Sequence, residues 1–307
     1  MHHTLRFGII LALCTAVISG TNNFLSKIAV TVIANPIVFT FLKNAIVAVL
    51  LAGIVLAASR SRELRSLTRA DAIRLLFIGV VGGGIAFVLF FTGLRETSAV
   101  TASFIHKTLF LWVGVLAVPF LRERITWVQG FAFALLFVGT LALGFPSFNL
   151  TRAELFILAA TILWAVENIV AKQALRTLSS PLVAASRMII GSLVLLGVVS
   201  WQGNVSLLVG LSASQWGWTL LTSTLLTGYV LTWYAALKRA PATLVASLLV
   251  PAALVTNVLT AVFTTHTLPV ADLLSGVTFT VASILLIRSV RSIGFASSQE
   301  PHAVPRA

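Results

Sequence analysis

The chain has 307 residues, of which 58% are hydrophobic and only 9% charged, against roughly a quarter charged in an ordinary soluble domain, so a water-soluble fold is excluded. The net charge of +13 would point to nucleic acid in a soluble protein, but here the cations cluster in connectors between apolar runs and report topology instead. One cysteine, Cys14, excludes a disulfide framework and a thiolate metal cluster.

Apolar runs cover residues 7–31, 36–58, 72–93, 98–120, 125–145, 153–174, 181–201, 214–237, 242–263 and 269–288. Backbone groups in hydrocarbon need partners within their own segment, so each run is predicted to be a helix. The first, opening MHHTLRFGIILALC, lacks a small-residue cleavage site and reads as a retained span rather than a signal peptide. It continues into SGTNNFLSK, where Ser19, Asn23 and Lys27 share one face at i, i+4 spacing. The second opens at Pro36 and carries Lys43. In the third, Gly79, Gly82, Gly83 and Gly84 suggest a phosphate loop, but no Gly-Lys-Ser/Thr follows, and close helix packing explains them better. Lys107 lies in the fourth run at a depth of roughly 15 Å, near the bilayer midplane, with His106 about 100° around the helix. The sixth holds Trp164, Glu167, Asn168 and Lys172; the seventh, Pro181 and Arg187; the eighth, Tyr229, Trp233 and Tyr234; the ninth, Pro251 and Asn257. Asp71 and Asp272 fall near span ends.

Sorting the 21 Lys and Arg residues by connector sets the orientation. With the N-terminus inside, the inner segments hold 15, among them Arg60, Arg62, Arg65, Arg69, Arg122, Arg124, Arg176, Lys238, Arg239, Arg291 and Arg306, while the outer connectors hold only Arg95 and Arg152. This asymmetry places both termini in the cytoplasm. Trp201, Trp216 and Trp218 at outer ends and Trp127 at an inner end fit an interfacial belt.

Shifted by 145 positions, residues 18–54 align with 163–199. Asn23 meets Asn168, Lys27 meets Lys172 and Pro36 meets Pro181, scarce residues that keep their mutual spacing. A shift of 143 or 144 relates the remaining spans. The expected organisation is two five-helix units, residues 1–148 and 149–296, followed by a short cytoplasmic tail, 297–307. Five is odd, so the second unit enters the membrane from the opposite side, and such inverted repeats support two near-equivalent conformations, one open to each face. The fold class is therefore an all-α polytopic membrane protein of ten transmembrane helices in two inverted repeats.

With its polar first helices SGTNNFLSK and LWAVENIVAK, the Pro-led NPIVFTFLKN and SPLVAASRMI, and LRERIT before the fifth helix, the chain resembles the ten-helix carriers of the drug/metabolite transporter superfamily, with two EamA-type repeats. In LRERIT, Arg122 stands where that family has Gly, and Glu123 is retained; Pro251 fits its fourth-helix Pro, whose place in the first repeat is taken by Lys107. The resemblance implies a metabolite exporter of a bacterial inner membrane, and within the superfamily the chain looks most like exporters of neutral and aromatic amino acids. Drug or nucleotide-sugar transport is the alternative within the superfamily. A channel is the rival outside it. No HExxH or Ser-centred nucleophile elbow suggests an enzyme.

Charges in hydrocarbon cost at least ~2.5–3.5 kcal/mol each, so deep ones need a partner or a wet cavity. A substrate carboxylate would supply the missing counter-charge of Lys107. His106, Asn23, Asn168, Trp164, Tyr229, Trp233 and Asn257 are the other candidates to meet substrate, with helix-to-helix ties or packing as the alternative for each. Glu167 and Arg187, at matching depth, suggest an ion pair that is either structural or a gate or proton-exchange site. The first repeat offers Asn22 in place of Glu167 and Lys43 one position away from Arg187, so the related pair lacks its acid. Lys27 and Lys172 are expected to snorkel. No metal, cofactor, nucleic acid or protein partner is implied; the partners expected are a small-molecule substrate and lipid.

Overall fold

A computed structural model describes residues 2–33, 35–58, 61–144 and 149–296. Arg60, Pro146, the tail 297–307 with Arg306, and residue 145 of the fifth run lie outside the described residues.

All regular structure in the described residues is helical. The first two spans are α1 (His2–Val32) and α2 (Pro36–Ala57), the latter started by Asn35, whose Oδ1 accepts the Ile37 and Val38 N–H groups. Pro36 sits in the first turn, where its missing N–H costs nothing. After a single turn, α3 (Ser61–Arg65), the third span runs as α4 (Arg69–Phe77), a π-helical stretch (Ile78–Ile85) and α5 (Ala86–Leu94). The fourth is α6 (Ala99–Lys107) and α7 (Leu109–Leu121), and the fifth is α8 (Trp127–Ala142). The second half comprises α9 (Arg152–Ala174), α10 (Ser180–Trp201), α11 (Ala213–Arg239), α12 (Ala242–Leu248) with α13 (Ala252–Thr260), and α14 (Val270–Ala296).

Nine stretches among the described residues are long and apolar enough to cross a membrane. The fifth span is the exception to the expected 125–145: a capping box of Thr126 and Gln129 starts α8 at Trp127, and its 16 residues make a rod of about 24 Å, short of a hydrocarbon core of about 30 Å.

Two spans expected to be continuous are broken. The ninth gives way between Leu248 and Ala252, where Pro251 cannot continue the hydrogen-bond ladder. The fourth breaks at the related place without a proline. There the Thr108 hydroxyl takes the Ile105 carbonyl at 2.6 Å, a side-chain bond that competes with helix propagation immediately after Lys107. Backbone irregularity at this depth is tolerated where it borders a cavity rather than lipid.

Packing follows the repeat. The first span packs chiefly on the eighth (α1 on α11), and the third packs correspondingly on the sixth (α5 on α9). The second packs on the seventh (α2 on α10) and the fifth on the tenth (α8 on α14). The second–seventh and fifth–tenth contacts join spans that exchange under the repeat, and the first–eighth and third–sixth contacts exchange with each other, as a two-fold relation between the halves requires. The glycines of the third span serve close approach: a Cβ at Gly83 would strike the Arg187 carbonyl and the Gly191 backbone, and one at Gly79 would strike Ile190.

Trp127 and Trp201 are 96% and 87% exposed, as belt residues should be. Trp218 departs from that expectation and packs on Ala29, Ile33 and Phe39.

Candidate functional site

A cavity of about 550 Å³ lies between the two halves. Asn23 reaches it from α1, Lys43 from α2, His106 and Lys107 from the end of α6, Trp164, Glu167 and Asn168 from α9, Arg187 from α10, Tyr229 and Trp233 from α11, and Asn257 from α13. Every residue singled out in the sequence for substrate contact or gating therefore lines this one space.

Its deep wall is a buried polar network. Glu167 Oε1 accepts the Tyr234 hydroxyl at 2.7 Å and lies 3.9 Å from Arg187 Nε, an ion pair by distance but not a hydrogen bond. Arg187 Nη2 donates instead to the Gly82 carbonyl at 3.0 Å, and its guanidinium lies over the Phe87 ring. Trp164 Nε1 donates to the same carbonyl, also at 3.0 Å. The π-helical stretch explains why Gly82 can serve both: the Ala86 N–H reaches back to Val81 instead of Gly82, leaving the Gly82 oxygen to side chains. A Cβ at Gly82 would collide with Glu167, so the acid needs glycine there. Asn168 completes the network, donating to the Trp164 carbonyl at 3.0 Å and accepting from Trp233 Nε1 at 3.2 Å.

Aromatic rings form the adjoining wall. His106 packs edge-on against Trp164 and Phe90, with centroids 4.9 and 5.4 Å apart, and Phe87 meets Trp164 at 5.2 Å. Across the space Tyr229 stacks on Trp233, nearly parallel at 6.1 Å. Lys107 makes no hydrogen bond or ion pair among the described residues, and the opposing charge of Asp272 acts on it only electrostatically. Asp272, expected to be a span-end residue apart from the site, accepts from Asn257 Nδ2 at 2.7 Å. Lys43 donates to Ser26 at 3.3 Å and sits over the Phe39 ring.

One expectation is corrected. Lys172 does not snorkel: its ammonium donates to the Leu237 and Ala240 carbonyls at 2.5 and 2.7 Å, satisfying the C-terminus of α11. Lys27, paired with it in that expectation, is exposed and lines the cavity. Trp112 bonds Thr108 and lines a separate apolar groove with Leu155 and Leu158. The sequence reading missed Phe87 and Phe90, whose i, i+3 spacing in AFVLFF puts them on one face. It also missed the Gly82 carbonyl, because nothing in a glycine run announces a π turn.

The cavity is shut at the end of the bundle where α1 begins. Glu123, in the turn between α7 and α8, accepts the Ala242 N–H at 2.6 Å, the Thr243 N–H at 3.1 Å and the Thr243 hydroxyl at 2.7 Å, clamping the N-terminus of α12. Lys238 ties α11 to the Leu178 carbonyl at 2.8 Å beside it. At the opposite end the related turn has the same left-handed residue, His266 at φ 53° against Arg122 at φ 58°, but Thr267 replaces the acid. There Ser98 caps its own helix by accepting the Thr101 N–H, and the cavity continues to Val30, Pro36 and Leu94. A second recess beyond, sharing Pro36 and Phe91, is lined by Arg95, Asn204 and Gln215.

A two-fold bundle of long apolar helices, two of them broken beside a polar cavity that is shut at one end, defines the class of membrane transporters built from internal repeats. The chain matches the EamA-like transporter family over residues 6–145 and again over 151–289, and it belongs to that family. It is therefore a multi-pass membrane transporter of the drug/metabolite transporter superfamily with two EamA repeats. No curated protein matches it. A solved structure described only as "Crystal structure of protein" superposes with a TM-score of 0.74 at 15% identity, covering 93% of this chain and 98% of its own, and supports the fold.

Proposed function

We propose that the protein is a secondary carrier that exports neutral and aromatic amino acids and related small metabolites across the bacterial inner membrane by alternating access. Both termini are cytoplasmic in this reading, and the end shut by Glu123 is the cytoplasmic one. The carrying observation is Lys107: an ammonium at the break of the fourth span, without a bonded partner among the described residues, facing a cavity walled by Trp164, Phe90, Tyr229 and Trp233. A carboxylate on a flat apolar body matches that arrangement, the anion meeting Lys107 and the body filling the space between rings.

Exchange of labelled for unlabelled phenylalanine across liposomes holding the purified protein tests this reading. Saturable counterflow is expected, and Lys107→Met should weaken the apparent affinity by about tenfold or more, the value of a hydrogen bond to a charge. Equal exchange by Lys107→Met would remove the anchor. Current without saturation would mean a channel.

A second reading has its own support. Lys27, Lys43, Lys107 and Arg187 line the cavity against the single lining acid Glu167, a balance that also suits a phosphate-bearing substrate such as a nucleotide sugar. Inhibition of phenylalanine counterflow by a nucleotide sugar, and not by other amino acids, would favour it.

A further inference from the structure

Lys107 brings a charge to the cavity, and no bonded partner among the described residues compensates it. The one acid among the described lining residues, Glu167, is engaged by Tyr234 and Arg187. Asp272 is placed differently. It stands in the first turn of α14, just past the left-handed His266 at the open end, and it joins the lining through Asn257, whose Nδ2 donates to its Oδ1 at 2.7 Å. Its Oδ2 makes no hydrogen bond among the described residues, and its charge acts on Lys107 through space. The two groups do not depend on each other equally. Asp272 already has the Asn257 amide and the positive end of α14, whereas Lys107 has the negative end of the nine-residue α6 and no bonded partner.

A charge enclosed in hydrocarbon without a partner raises the barrier to any conformational change that buries it. In the loaded carrier the substrate carboxylate meets that demand at Lys107. Resting on the carrier reading above, we propose that Asp272 is the counter-ion that Lys107 takes when the carrier returns empty. As the open end closes, the start of α14 and the break of the fourth span draw together, and Asp272 Oδ2 occupies the place that the carboxylate has left. When substrate binds again, Lys107 turns to it, and Asp272 keeps Asn257 and its own helix end. The pairing decides what kind of carrier this is. With the cation compensated, the empty protein returns and substrate is released into a medium that holds none. Without Asp272 the protein returns only when loaded, and exchange is the mode that remains.

The test loads proteoliposomes with saturating labelled phenylalanine and compares its loss into buffer without substrate against its loss into buffer with unlabelled phenylalanine. The readout is the ratio of release to exchange within one preparation, so the amount of folded protein cancels. In Asp272→Asn that ratio should fall by at least about tenfold relative to wild type. The replacement has the same shape and its Oδ1 still accepts from Asn257; Asp272→Ser is a second neutral variant expected to behave alike. In a Lys107→Met background the same substitutions should leave the ratio unchanged, because no cation remains to be compensated. An equal fall in both backgrounds, or no fall in either, would overturn the pairing. So would loss of release and exchange together in both neutral variants, which is the failure of a structural acid. Wild-type protein that exchanges phenylalanine but does not release it would overturn the pairing and leave the carrier standing. Wild-type protein that does neither would overturn the amino acid reading and this proposal together.

Discussion

Arg187→Leu, with Glu167 left in place, is expected to destabilise the protein by about 3–5 kcal/mol, because truncating one member of a buried pair strands the other's charge. The guanidinium compensates Glu167 at 3.9 Å, donates to the Gly82 carbonyl and covers Phe87, so its loss opens three elements at once. The double variant Arg187→Leu with Glu167→Leu should recover most of the loss, since replacing a whole buried pair with apolar side chains is often neutral. Unfolding midpoints in detergent for the two single variants and the double variant decide this. Additive losses would mean the two residues act independently, and the pair would then have no role in holding α9 against α10.

Glu123→Ala should release the shut end of the bundle. Its carboxylate makes three hydrogen bonds to the start of α12, and a hydrogen bond to a charge contributes about 1.5–3 kcal/mol. Losing even one such bond's worth shifts the balance between shut and open states by tenfold or more. Leu244, buried on α12 at 1% exposure, reports the change when replaced by cysteine in a Cys14→Ser background. Its labelling by a water-soluble thiol reagent should rise at least about tenfold in Glu123→Ala. Unchanged labelling would show that Lys172 and Lys238 hold that end without Glu123.

The membrane class was legible, with nine of the ten expected spans and the fifth as a shorter apolar helix, because lipid leaves the chain no other way to satisfy its backbone. The repeat was legible from Asn23, Lys27 and Pro36, whose scarcity in an apolar sequence makes their recurrence at 168, 172 and 181 informative. The deep charges and amides that line the cavity were legible for the same reason, because a charge or amide in hydrocarbon has nowhere else to go, whereas the lining rings of Phe87 and Phe90 were not. What the sequence hid is backbone geometry. The break after Lys107 coincides with one threonine bonding backward, and the acceptor at Gly82 depends on a π turn; neither has a residue signature comparable to the proline of the ninth span. Lys172 was misread because depth along a helix says nothing of which neighbouring helix end lies beside it. Its partners, Leu237 and Ala240, are carbonyls that every residue possesses.

The central claim is that one cavity is reached from the two faces of the membrane in turn. Ser103, which lines the cavity on α6, tests it when replaced by cysteine in the Cys14→Ser background and treated with a membrane-impermeant thiol reagent from either face. Labelling from both faces, slowed from both by saturating phenylalanine, is the predicted result; labelling confined to one face under every condition would contradict alternating access.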